Sequence, residues 1–225
     1  MPASRNADPA GSDLDALTAL SEPARRALYA YVAAQDHPVC RDEAAQACGL
    51  KRSTAAFHLD RLVTDGLLEA GFARLSGRAG PGAGRTAKLY TRAARQIRVS
   101  LPPRQYELAC GILAAAVEAA GSSRADIGEA VAREAQQAGR QLAATGSSIA
   151  DVLSHAGYEP KPGPGGSVQL ANCPFRELAA RHAGLVCAMN LHLLSGIMAG
   201  LGAAGEARLD PGEGRCCVTI RQSGR

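Results

Sequence analysis

Two sets of side chains in this 225-residue chain have the types and spacing to do chemistry: its seven cysteines and an uneven run of basic residues. Four of the thiols, Cys173, Cys187, Cys216 and Cys217, fall in the last 53 residues. Thiolates are soft ligands that select zinc, copper(I) or an iron–sulfur cluster. The spacing matches neither the paired C-x2-C knuckles of structural zinc nor the runs of ferredoxins, so it leaves the metal open. Three sulfurs plus one variable ligand is the count expected, with His182 and His192 close enough in sequence to complete a site. The alternative is that these cysteines are small core side chains, as free cysteine often is.

The basic run is as uneven as the thiols. Between Ala70 and Arg98 stand Arg74, Arg78, Arg85, Lys88, Arg92, Arg95 and Arg98 with no acidic residue, a local +7 in a chain of net charge +4. A phosphate backbone accounts for such an asymmetry. The elements that must hold these residues are legible just upstream. Arg41 to Cys48 reads as a short helix, and Gly49-Leu50 supplies a tight turn where a residue without Cβ is favoured. A second helix follows, with Ser53 or Thr54 as its N-cap, a buried stripe of Ala55, Leu59, Leu62 and Val63, and Gly66 as its stop. Its other face carries Lys51, Arg52, Ser53, Thr54, Phe57, His58 and Arg61, in the positions that meet base edges when such a helix enters the major groove. Two extended segments, 68–75 and 88–92, joined by a glycine-rich tip, complete a winged helix-turn-helix.

The fold expected is therefore mainly α with small β. A polar tail, 1–12, is expected to be disordered, and Asp13 is expected to cap the first helix of a DNA-binding domain, 13–98. A helical linker and dimerisation region spans 99–157, and an α/β cysteine-containing sensor domain spans 158–225. In the linker, Tyr106, Cys110, Leu113, Val117 and Ala120 recur in near-heptad spacing, which suits a homodimer helix, and Cys110 is expected in the core. Apolar residues make up 46% of the chain and aromatics 4%, so packing must rely on small side chains. No export signal and no apolar run of membrane-spanning length are expected. The expected location is cytoplasmic, where thiols stay reduced. A phosphate loop, a nucleophile elbow and paired carboxylates are all missing, so the chain is not expected to be an enzyme.

Two stretches also carry a family resemblance. CGLKRSTAAFHLDRLVTDGLLEAG followed by GPGAGRTAKLY resembles the DNA-binding half of bacterial winged-helix regulators of the arsenic-repressor-like class. With NCPF, LVCAMN and the late Cys216-Cys217 pair, nearly the whole chain resembles the SufR family of iron–sulfur repressors. The resemblance implies a homodimer that binds double-stranded DNA and carries an iron–sulfur cluster, of the 4Fe-4S kind, on Cys173, Cys187 and the Cys216/Cys217 pair. It also implies repression while the cluster is intact and release of DNA when the cluster is lost. In this sequence the last two cysteines are adjacent, unlike the better-known members. Zinc is the alternative metal, and a small organic ligand with structural cysteines is the alternative sensor.

Overall fold

The computed structural model describes residues 9–74, 86–123 and 126–221. It divides the chain once, into compact units 1–99 and 100–225. The helices expected as a separate linker share one core with the cysteine-containing segment, from Ala109 to Ile220.

The first unit runs α1 (Pro9–Ala19), α2 (Pro23–Ala34), β1 (Val39–Cys40), α3 (Arg41–Ala47), α4 (Arg52–Thr64), β2 (Leu68–Arg74) and β3 (Thr86–Arg92). Residues 9–12, expected within a disordered tail, are helical. Asp13 lies inside α1 instead of capping it, and its carboxylate accepts from the Arg95 guanidinium and the Arg98 amide. Pro23 stands at N1 of α2, where its missing N–H costs nothing, while the Glu22 carboxylate accepts from the Arg25 amide at 2.7 Å. Gly49 has φ of 64°, which lets α3 end and the chain turn into α4 after only four residues. That second helix begins at Arg52 with Lys51 as its N-cap residue. Ser53 and Thr54, expected as the cap, are in its first turn, because Lys51 already has extended backbone and its carbonyl accepts from Ala55. Strands β2 and β3 form an antiparallel hairpin, and β1, which the sequence does not announce, pairs with β3 on the other side. Leu28, Val32, Val39, Ala44, Leu59, Leu62, Leu68 and Tyr90 build the core beneath.

The second unit runs α5 (Tyr106–Ser123), α6 (Ile127–Ala143), α7 (Ile149–His155), β4 (Pro160–Pro162), β5 (Ser167–Leu170), α8 (Arg176–Arg181), α9 (Ala183–Gly200), β6 (Glu206–Leu209) and β7 (Val218–Arg221). Its sheet has the order β4-β5-β7-β6, all antiparallel. Residues 160–162 pair with β5 as an edge strand, which tolerates their prolines. Helices α6 and α9 approach closely through small residues. A Cβ on Gly196 would overlap the Gln136 carbonyl, and one on Gly139 the Leu193 carbonyl. A chain so poor in aromatics gains dense packing by bringing backbones together.

Two expectations about this unit are corrected. Helix α9 has 18 residues with mean hydropathy 1.5, long and apolar enough by composition to cross a membrane. Here that apolarity serves protein contacts, since Val186, Met189, Leu193, Leu194 and Ile197 are buried in the core. Cys110 is exposed, because α5 turns Ala109, Ile112 and Ala116 inward. Of the near-heptad stripe, Cys110 and Val117 are exposed, while Tyr106, Leu113 and Ala120 are half-buried, the last two against the core.

Candidate nucleic-acid interface and sulfur site

In the first unit, α4 divides its residues sharply. Ala55, Leu59 and Leu62 are buried, while Lys51, Arg52, Ser53, Phe57 and Arg61 are exposed and Thr54 is half-buried. Phe57 is 66% exposed, so it does not pack beneath the hairpin. Most cations on this surface already hold a carboxylate. Arg52 pairs with Asp42 of α3, and Arg61 Nε donates to Asp65 at 3.0 Å. Lys88 Nζ donates to Asp60 at 2.7 Å. Among the described residues Lys51 has no carboxylate partner. Exposed pairs such as those of Arg52 and Arg61 contribute little stability each, and a phosphate can compete for them.

His58 departs from the expected surface role. Its side chain is 14% exposed, its Nε2 is 3.9 Å from Glu22, and its Nδ1 is buried without a hydrogen-bond partner among the described residues. The periodicity of α4 places it on the flank that leans on α2, so it is not open to a base edge. Arg74 ends β2 and only its backbone is described. Arg78 and Arg85 lie outside the described residues.

Sequence reasoning missed two residues here. Asp60 Oδ1 accepts from both Lys88 and the Tyr90 hydroxyl, the latter at 2.8 Å. Burial raises the Asp60 carboxyl, but these two donors outweigh it and hold the group below its ordinary value. Burial first, and the hydrogen bond to Asp60 second, push the Tyr90 hydroxyl far above its ordinary value. Phe72 on β2 is 72% exposed, an apolar side chain left in solvent. Two of the three phenylalanines are therefore on the surface of this unit, and exposed large apolar groups are more informative than buried ones.

In the second unit, Cys173 and Cys216 are buried and Cys187 and Cys217 half-buried. Helix α8 begins at Arg176, and Cys173 precedes it by a turn. Its thiol is pushed far above the ordinary range, first by donating to Cys216 and then by burial. At Cys216 the hydrogen bond from Cys173 pulls downward, but the bond to Cys217 and burial outweigh it, and the thiol is pushed up to about 11. Cys216 and Cys217 also sit ahead of β7 and not on it. Cys216 N–H donates to Leu170 O at 2.8 Å, and Cys217 O accepts from Asp210 N at 2.8 Å.

Two polar side chains that sequence did not single out complete this region. Asn190 of α9 donates through Nδ2 to Cys216 Sγ at 3.1 Å, and its Oδ1 accepts from the buried Tyr158 hydroxyl. The result is a buried chain Tyr158–Asn190–Cys216–Cys173 with Cys217 at its side. Cys187 is not joined to it by any hydrogen bond among the described residues. His182 is the exposed N-cap residue of α9 and His192 is half-buried on it. In kind, sulfur donors suit a thiophilic metal. As arranged they do not close a ligand set: among the described residues no three or more His, Cys, Asp or Glu are grouped so that they could hold a metal ion. Cys40 and Cys48, flanking α3, are half-buried, far along the chain from this network.

No family model, curated protein or solved structure matches the chain.

Proposed function

We propose that the chain is a DNA-binding transcription regulator, most simply a repressor. In this reading, residues 13–98 act as a winged helix-turn-helix, α4 is the recognition helix and β2–β3 the wing. The observation that carries it is α4 itself, which buries a narrow apolar stripe and leaves Lys51, Arg52, Ser53, Phe57 and Arg61 on one open surface. A helix held from one side, with donors and an aromatic on the other, suits the major groove. The basic residues of the hairpin add sequence-independent attraction to phosphates. Paired half-sites call for a homodimer, and the exposed part of the α5 stripe around Cys110 and Val117 is the surface we assign to it.

The test is binding to random and selected duplexes by fluorescence anisotropy over a salt series. Replacing Arg78 and Arg85 by Ala should weaken binding to both duplexes alike and lower the slope of log K against log salt by about 0.9 for each phosphate no longer neutralised. Weakening confined to one sequence counts against the wing assignment.

The sensor in this proposal is the thiol network of the second unit, and its group is an iron–sulfur cluster as the resemblance implies. A cluster would supply a redox-sensitive charge there. Cys173, Cys187, Cys216 and Cys217 are the residues that would hold it, as the resemblance implies. Protein isolated without oxygen should be brown and contain iron and acid-labile sulfide, and Cys173→Ser should abolish the colour. Colourless protein with stoichiometric zinc replaces the cluster by zinc. A second reading has its own observation: a groove of about 420 Å³ between α5 and α6, lined by Leu108, Ile112, Glu134 and Gln141 among others. Metal-free protein that binds DNA in full favours a small organic ligand there, with the cysteines as core side chains.

A further inference from the structure

We infer that Asp60 is a positioning residue that locks the β2–β3 hairpin onto α4 through Tyr90 and Lys88, and so decides which DNA sequences the two elements read together. The inference rests on the DNA-binding reading above and names the residue that gives that site its shape.

The geometry begins with the hairpin's attachment. Leu67 N–H donates to Leu62 O at 2.9 Å and Ala93 N–H to Leu67 O at 3.1 Å, which joins the base of the hairpin to the end of α4, while β1 pairs with β3 at Leu89 and Tyr90. The Asp60 carboxylate adds a side-chain tie from α4 itself to β3, where Tyr90 and then Lys88 donate to the same oxygen at 2.8 and 2.7 Å. Residues 88 and 90 share one face of the strand, and Lys88 Nζ also lies 5.6 Å from the centroid of the Tyr90 ring. Tyr90 is 1% exposed, so its hydroxyl needs a partner inside the protein, and Asp60 is that partner.

For recognition this attachment matters in two ways. The spacing of DNA grooves is set by the duplex, so a recognition helix and a wing engage together only at the right angle, and contacts that set register decide which bases are presented. Lys88 is a structural cation already neutralised by Asp60, and it does not add a phosphate contact. The carboxylate on α4 thus contributes to sequence preference without touching a base.

The experiment uses the full-length protein, a duplex selected on it from a random pool, and a scrambled duplex of equal length, with affinities measured over a salt series. Asp60→Ala should lower the ratio of selected to scrambled affinity about ten-fold, the scale of one good base contact, with the salt slope on the scrambled duplex unchanged. Asp60→Asn keeps an acceptor for Tyr90 and guards against misfolding, and its effect should be smaller. Lys88→Met should match Asp60→Asn, and the double variant should be no worse than either, because both remove one ion pair. A Lys88→Met protein that binds both duplexes equally more weakly, with a slope lower by about 0.9, makes Lys88 a phosphate contact and overturns the inference. Additive effects in the double variant overturn it too. Wild-type protein that binds neither duplex overturns the DNA-binding reading itself, a result no Asp60 variant can imitate.

Discussion

Helices α4 and α9 both carry apolar residues at helical spacing, yet they use them differently. α4 buries Ala55, Leu59 and Leu62, leans His58 on α2, and leaves Lys51, Arg52, Ser53, Phe57 and Arg61 to solvent. α9 buries Val186, Met189, Leu193, Leu194, Ile197 and Met198, with Gly196 against α6 and one amide, Asn190, among them. In the first unit the polar groups with chemical potential are outside, where changing one alters what the surface contacts. In the second they are inside, where changing one leaves a buried partner unsatisfied. The first unit carries these groups where solvent reaches them, and the second where its core surrounds them.

The contrast is tested most severely at Gly196. Gly196→Val places side-chain atoms where the Gln136 carbonyl already lies, and should destabilise the second unit by about 3 kcal/mol. Denaturant unfolding with hydrogen exchange followed on α9 measures it, and a cost near zero means that α6 and α9 are not packed through glycine. Next comes Asn190→Leu, which strands the buried Tyr158 hydroxyl and should cost about 1–3 kcal/mol. Adding Tyr158→Phe should recover part of that stability, because the stranded group is then gone; no recovery means that the amide and hydroxyl are not coupled.

On the outside, Arg52→Ala should move stability by no more than about 0.5 kcal/mol and change base preference by about 1–3 kcal/mol. A destabilisation as large as that of Asn190→Leu would erase the distinction between the two regions. The smallest effect concerns pH. Hydrogen bonds to Glu43, at 2.9 Å, and then to Asp36, at 3.2 Å, raise His37 above its ordinary 6.5. A raised folded-state value means that the contribution to stability is complete below 6.5 and is lost as pH rises through the folded value. His37→Gln should therefore flatten a slight decline of first-unit stability from pH 6.5 upward. Thermal unfolding at about pH 5.5 to 8.5, a range that brackets histidine titration, checks this, and an unchanged profile means that His37 does not contribute. The buried thiols contribute nothing over that range, since Cys216 titrates only near about 11 and Cys173 higher still.

Much of the first unit was legible in the sequence because its signals are local. Gly49 and Gly66 mark helix ends through positive φ, Pro23 marks a start, and Ala55, Leu59 and Leu62 mark a face. The same logic failed by a few residues at Asp13 and Ser53. A good capping side chain signals that a helix is near, and backbone pairing elsewhere decides its first residue. On α5 the near-heptad pattern correctly marked an apolar stripe, but Ala109, Ile112 and Ala116 turned out to face the core. In an alanine-rich helix several stripes are apolar, and periodicity alone does not rank them.

The helices α3 and α4 and the hairpin that follows them, the polar face of α4 and the concentration of thiols near the end of the chain were all set by residue order alone. Each follows from residues within a few positions of one another, where spacing and backbone preference act directly. That Cys173 meets Cys216, and that Asn190 joins them to Tyr158, came from packing in three dimensions. So did the hold of Asp60 on Lys88 and the separation of Cys187 from the network. These partners are brought together by β5 pairing with β7, by α9 filling the core and by the hairpin folding back on α4. Contacts between residues far apart in the chain depend on how whole elements pack, and no local pattern of residue types carries that information.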